Sequence, residues 1–107
     1  MIRVYYARGK GEHELTINGH AGYAEYGKDI VCAGVSAIAF SLLAWLENSQ
    51  DDVARMDELV AEDGRVYIAC AGNDRVNTAF QVALMGLIQI SRAHPEHVCI
   101  EYGRDSR

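Results

Sequence analysis

Gly19-His20-Ala21-Gly22-Tyr23-Ala24-Glu25-Tyr26-Gly27-Lys28-Asp29-Ile30-Val31-Cys32-Ala33-Gly34-Val35-Ser36 reads as a glycine-punctuated loop that opens into a helix. Gly19, Gly22 and Gly27 are spaced as hinges, and Asp29 stands at an N-cap position directly ahead of an apolar run. Cys32 then falls in the first helical turn. Backbone N–H groups there lack intrahelical partners and the helix dipole favours negative charge, so a thiolate is stabilised and a developing oxyanion can be cradled by the free N–H groups. An exposed helix terminus supplies only ~0.3–1 kcal/mol, short of the about 1.4 kcal/mol that a tenfold change in ionisation requires. A nucleophilic Cys32 therefore needs a second partner, and His20, at the other end of the loop, is placed to be it. A cysteine and a histidine across a mobile loop are the parts for covalent catalysis.

Outward from this stretch, the preceding residues alternate. Met1 to Ala7 carries Ile2, Val4 and Tyr6 on one parity, and Glu14 to Gly19 alternates through Leu15 and Ile17, so Arg8-Gly9-Lys10-Gly11 links two strands as a hairpin. The second strand delivers His20 at its end. Downstream, a helix over Ile30–Asn48 carries Val31, Val35, Ile38, Leu42 and Leu46 along one face, with Ala37, Ser41 and Trp45 beside it. Two strands follow, Ala54 to Glu62 and Arg65 to Ala71, joined through Asp63-Gly64, a strong hairpin signal. Asn73 or Asp74 caps a second helix over Arg75–Ala93, built on Val76, Phe80, Ala83, Leu84, Leu87 and Ile88 and ended by Pro95. His97 to Tyr102 forms a last strand, and Gly103 to Arg107 reads as a polar tail. The order β-β-α-β-β-α-β predicts an α+β fold, a largely antiparallel sheet packed with two helices. Gly34, inside the first helix, predicts close approach by a neighbouring element.

The chain has 107 residues, half of them apolar, and a net charge of −5. One domain of this size buries roughly 60–70% of its unfolded surface. The acidic balance argues against direct nucleic-acid binding and suits attraction to a basic partner. Three cysteines without a CxxC pair, and no secretory leader, point to a reducing cytoplasm. The uncharged run Ile30 to Leu46 approaches the length of a membrane span, but Asp29 and Glu47 bracket it and Cys32, Gly34, Ser36 and Ser41 dilute it. A buried core helix is the better reading. Two helices so apolar exceed what one sheet face can cover, which predicts a homodimer.

Gly19-His20-Ala21, the glycine loop and Asp29-Ile30-Val31-Cys32-Ala33-Gly34-Val35-Ser36 together resemble the ribosomal-processing cysteine protease Prp family. The resemblance implies that His20 and Cys32 are the catalytic pair. It also implies a substrate, the N-terminal extension of a large-subunit ribosomal protein, and neither metal nor organic cofactor. His94-Pro95-Glu96-His97 departs from the family, which has a more aromatic Tyr-Pro stretch there, so no substrate contact is carried over to it. A non-catalytic ribosome-associated peptide-binding module and a thiol redox sensor are the competing classes of function.

The remaining chemical residues have plainer readings. Asp29 is an N-cap that also stands where it could orient His20. Ser36, one turn after Cys32 on the same face, either bonds near the thiol or back-bonds to the helix. Gly22, Tyr23, Tyr26 and Gly27 form the candidate substrate-binding loop. Cys70 and Cys99 are packing residues, and His13, His94 and His97 are surface or turn residues. A zinc site from His94, His97 and a cysteine matches known ligand spacings weakly.

Overall fold

Alternation places Ile2, Val4 and Tyr6 on the buried face of β1 (Ile2–Arg8) and Leu15 and Ile17 on the same face of β2 (Glu12–Asn18). The two strands pair antiparallel, with Val4 opposite Ile17 and Tyr6 opposite Leu15. The computed structural model describes residues 1–25 and 27–103, and within them the chain continues through α1 (Ile30–Asn48), β3 (Val53–Glu62), β4 (Arg65–Gly72), α2 (Asp74–Ala93) and β5 (Val98–Tyr102). Tyr26 of the expected loop and residues 104–107 of the expected tail lie outside the described residues.

The sheet order is β3-β4-β2-β1-β5, which makes β2 the central strand. Only β1 and β5 run parallel among the described pairs, so the sheet is largely antiparallel, in the expected α+β arrangement. Ile68 of β4 lies opposite Leu15 and Val66 opposite Ile17, which extends the apolar face across the sheet. Val31, Val35, Leu42 and Leu46 of α1 and Val76, Phe80, Leu84 and Leu87 of α2 close over it as a single core. The helices approach through small residues. A Cβ at Gly34 would stand 3.2 Å from the Ile90 side chain, and one at Gly86 would stand 2.8 Å from that of Ile38. By length and composition α1 could cross a membrane, yet six of its residues, Val31 to Leu46, are buried in this core. Phe40, Val82 and Met85 remain exposed on the outer faces of the helices.

The strand β2 corrects one expectation. His13, read as a surface or turn residue, is 4% exposed. The strand starts at Glu12, two residues earlier than the pattern predicts, so the inward parity of Leu15 and Ile17 extends back to His13. Its ring stacks on Phe80 with centroids 4.5 Å apart and planes 6° apart, and Nδ1 hydrogen-bonds the Tyr6 hydroxyl at 2.7 Å. Burial, reinforced by the charge of Arg8, lowers its pKa from the ordinary 6.5.

Candidate active site

The segment from Gly19 to Asp29 joins the central strand to α1, and its backbone is held at several points. The Gly19 N–H donates to the Gly64 carbonyl at 2.8 Å, which ties the end of β2 to the Asp63-Gly64 turn of the neighbouring hairpin. Gly19 has φ +98, and a Cβ there would meet the Met1 carbonyl oxygen at 2.5 Å, so only glycine fits. The Met1 nitrogen donates to the His20 carbonyl at 2.7 Å. The His20 imidazole is exposed and lies over Gly64, where an added Cβ would stand 2.8 Å from Nε2.

Asp29 caps α1, as its position predicts. Its Oδ1 accepts from the N–H groups of Val31 at 3.0 Å and Cys32 at 2.9 Å. Its Oδ2 accepts from Tyr23 at 3.0 Å and Ala24 at 3.4 Å, so one carboxylate fixes both the helix start and the loop. The Cys32 N–H above all, with those of Tyr23, Ala24 and Val31, holds the carboxyl below its ordinary 3.8, against a smaller desolvation effect that raises it. These bonds correct the expectation of free N–H groups at the helix start. Val31 and Cys32 are engaged by the Asp29 side chain, and Ala33 donates to the Asp29 carbonyl at 3.0 Å.

The donor that reaches the sulfur comes from the loop. The Ala21 N–H donates to Cys32 Sγ at 3.1 Å, which sets the peptide following His20 directly against the thiol. His20 and Cys32 line one cleft of about 700 Å³. Ser36, Gly22 and Gly27 line it too, with Val35, Phe40 and Val66 as apolar wall and Glu62, Asp63 and Arg65 at the hairpin rim. A half-buried thiol and an exposed imidazole on the walls of one cleft, of the size that small ligands and peptide side chains occupy, are groups suited to attack on a carbonyl.

The other chemical residues lie elsewhere. Cys70 is buried, and burial, with the charge of Asp57 adding to it, pushes its thiol up to about 11. Cys99 is half-buried in β5. Tyr23 meets His94 and His97 edge-on at 5.2 and 5.4 Å, and His97 Nδ1 hydrogen-bonds the Ala21 carbonyl at 2.9 Å. Among the described residues no three His, Cys, Asp or Glu side chains are grouped to hold a metal ion. Sequence reasoning missed His97, Gly64 and the Ala21 N–H. Each reaches the site through a contact between distant segments, for which no local signal exists.

The family described as cysteine protease Prp matches residues 1–99. The ribosomal processing cysteine protease Prp of Mycoplasma genitalium is 37% identical over 86 residues, covering 80% of this chain and 84% of that protein. The protein of the same description from Staphylococcus aureus is 30% identical over 94 residues, 83% of this chain and 85% of its own length. The crystal structure of the S. aureus protease with a covalently linked product peptide superimposes with a TM-score of 0.85 at 28% identity, over 96% of this chain and 100% of that one. Its complex with a substrate peptide gives 0.79 over the same shares.

Proposed function

This chain belongs to the cysteine protease Prp family, and we propose that it removes the N-terminal extension of a large-subunit ribosomal protein by means of a His20–Cys32 dyad. It is a cysteine protease that processes a peptide substrate. The observation that carries the dyad is the 3.1 Å bond from the Ala21 N–H to Cys32 Sγ, which seats the backbone of the base beside the nucleophile in a shared cleft.

In this reading His20 takes the thiol proton and the Cys32 thiolate attacks the scissile carbonyl. The Ala21 N–H, already at the sulfur, is the donor at hand for the oxyanion. The imidazolium then protonates the departing amine, and a water activated by His20 hydrolyses the thioester. Asp29 supports the site as a cap and loop clamp, since its carboxylate is committed to four backbone N–H groups. Ser36 borders the cleft one turn from the thiol. Gly22, Tyr23 and Gly27 belong to the loop that an extended peptide has to pass, and Tyr26 is assigned there from sequence alone.

Replacing Cys32 by Ala or Ser should abolish cleavage of an extension-bearing precursor followed by mass, and replacing His20 by Ala should slow it by orders of magnitude. Turnover at the wild-type rate in any of these variants would remove the dyad. The apolar groove of about 800 Å³ between α1 and α2, lined by Ile38, Leu42, Trp45 and Val82, supports the homodimer, with a second copy as its cover. Solution scattering at micromolar concentration should give twice the chain mass, and a monomer would overturn that assignment. A cytoplasmic location suits three free thiols and a ribosomal substrate.

A further inference from the structure

We infer that His97 is a positioning residue for the His20–Cys32 pair, an inference that rests on reading that pair as the dyad. Among the described residues, three side chains hold the backbone between β2 and α1: Cys32 through the Ala21 N–H, Asp29 through the N–H groups of Tyr23 and Ala24, and His97 through the Ala21 carbonyl. Cys32 is the reacting atom's own residue and Asp29 is occupied in capping α1. His97 comes from the far side of the chain, seventy-six positions away.

The turn that carries it is itself fixed. The His97 N–H donates to the His94 carbonyl at 2.9 Å, and the Ile2 N–H donates to the His97 carbonyl at 2.8 Å, so the ring projects from a base tied to both α2 and β1. The edge-on contact with Tyr23 at 5.4 Å steadies the ring from the loop side. To meet a carbonyl oxygen, Nδ1 must carry a hydrogen, which makes the imidazole the donor whether the ring is neutral or charged.

Ala21 is therefore gripped at both ends. Its N–H is on the sulfur, its C=O is on His97, and its methyl is buried in the core at 2% exposure. The N–H and the C=O belong to the two peptide planes that meet at the Ala21 Cα, so the bond to Sγ holds the plane shared with His20, the bond to His97 holds the plane shared with Gly22, and together they restrict φ and ψ of Ala21. Gly22, the next residue, has φ +68 and nothing within 4 Å of an added Cβ, so no packing contact of its own holds the chain there, and the next anchors are the Tyr23 and Ala24 N–H groups on Asp29.

The test compares His97→Phe, which keeps a flat ring for Tyr23 but donates nothing, with His97→Asn, whose amide N–H reaches about as far as Nδ1. A lost hydrogen bond of this kind corresponds to roughly threefold to tenfold. We expect His97→Phe to slow both kcat and alkylation of Cys32 by iodoacetamide by that factor, and His97→Asn to restore both, with thermal midpoints recorded for each. Should His97→Phe not fold, His97→Leu takes its place as the variant without a donor. Wild-type alkylation and kcat without the donor would overturn the inference. So would an Asn variant as slow as the Phe one, since ring packing would then be the operative contact. Alkylation needs no turnover, so it separates failure of this inference from failure of the dyad, which Cys32→Ser and His20→Ala test directly.

Discussion

The molecule holds two cysteine–histidine neighbourhoods, one toward each end of β2, and they have opposite properties. His13 and Cys70 are register partners across β2 and β4, both on the core face, both nearly without exposure. There, burial lowers the imidazole pKa and pushes the thiol up to about 11, so both groups are held in their neutral forms. His20 and Cys32 line an open cleft, with a backbone N–H on the sulfur and the imidazole in reach of solvent. Sharing a region of the fold thus does not by itself make a thiol and an imidazole a candidate dyad. At the proposed reactive end the backbone is clamped and the imidazole is exposed, whereas at the structural end the His13 ring is packed against Phe80 and Tyr6.

The sharpest test exchanges the consequences of the two histidines. His20→Ala should cost ~10²–10⁴-fold in kcat, the usual range for a positioned acid–base, with little change in thermal midpoint. His13→Phe should leave kcat within about twofold, and a folded His13→Phe protein without turnover would break the contrast. Phe80→Ala, which removes the ring beneath His13, should cost ~3–5 kcal/mol in denaturant unfolding, since Phe80 has no exposed surface. At pH 8 about one Cys70 in a thousand is thiolate given a value of about 11, so iodoacetamide should label Cys32 far ahead of it in the native protein.

Gly64→Ala probes the reactive end with a smaller expected loss. At φ +74 the added methyl costs ~1–2 kcal/mol of backbone strain and stands 2.8 Å from His20 Nε2. Turnover should fall by more than a matched surface substitution of equal stability cost would give. The mildest effect is in pH. A histidine whose folded pKa lies below its unfolded value stabilises the fold fully above the unfolded value and loses that contribution as pH falls. The thermal midpoint should therefore decline below pH 6.5, the ordinary value for His13, and His13→Phe should remove that step. Asp29, lowered from 3.8, adds a separate decline beneath that pH, which Asp29→Asn should blunt.

Much of this was legible in residues alone, because periodicity and caps are local. Ile30–Asn48 follows from its apolar stripe and from Asp29, the β3–β4 hairpin from Asp63-Gly64, and the helix contact at Gly34 from a glycine where alanine would be preferred. The sheet order was not legible, since nothing in β2 or β4 marks the other as its neighbour. For that reason no local signal marks the Gly64 turn under His20 or the grip of His97 on Ala21, and His13 faces the core because β2 begins two residues before its clear alternation.

The Gly19–Gly64 hydrogen bond joins the end of β2 to the turn between β3 and β4, so the floor beneath the His20 imidazole is lent by a segment far downstream in the chain. The cleft is a seam between two hairpins, and a change confined to the β3–β4 turn reaches the His20 side chain without altering any residue of its own strand or loop.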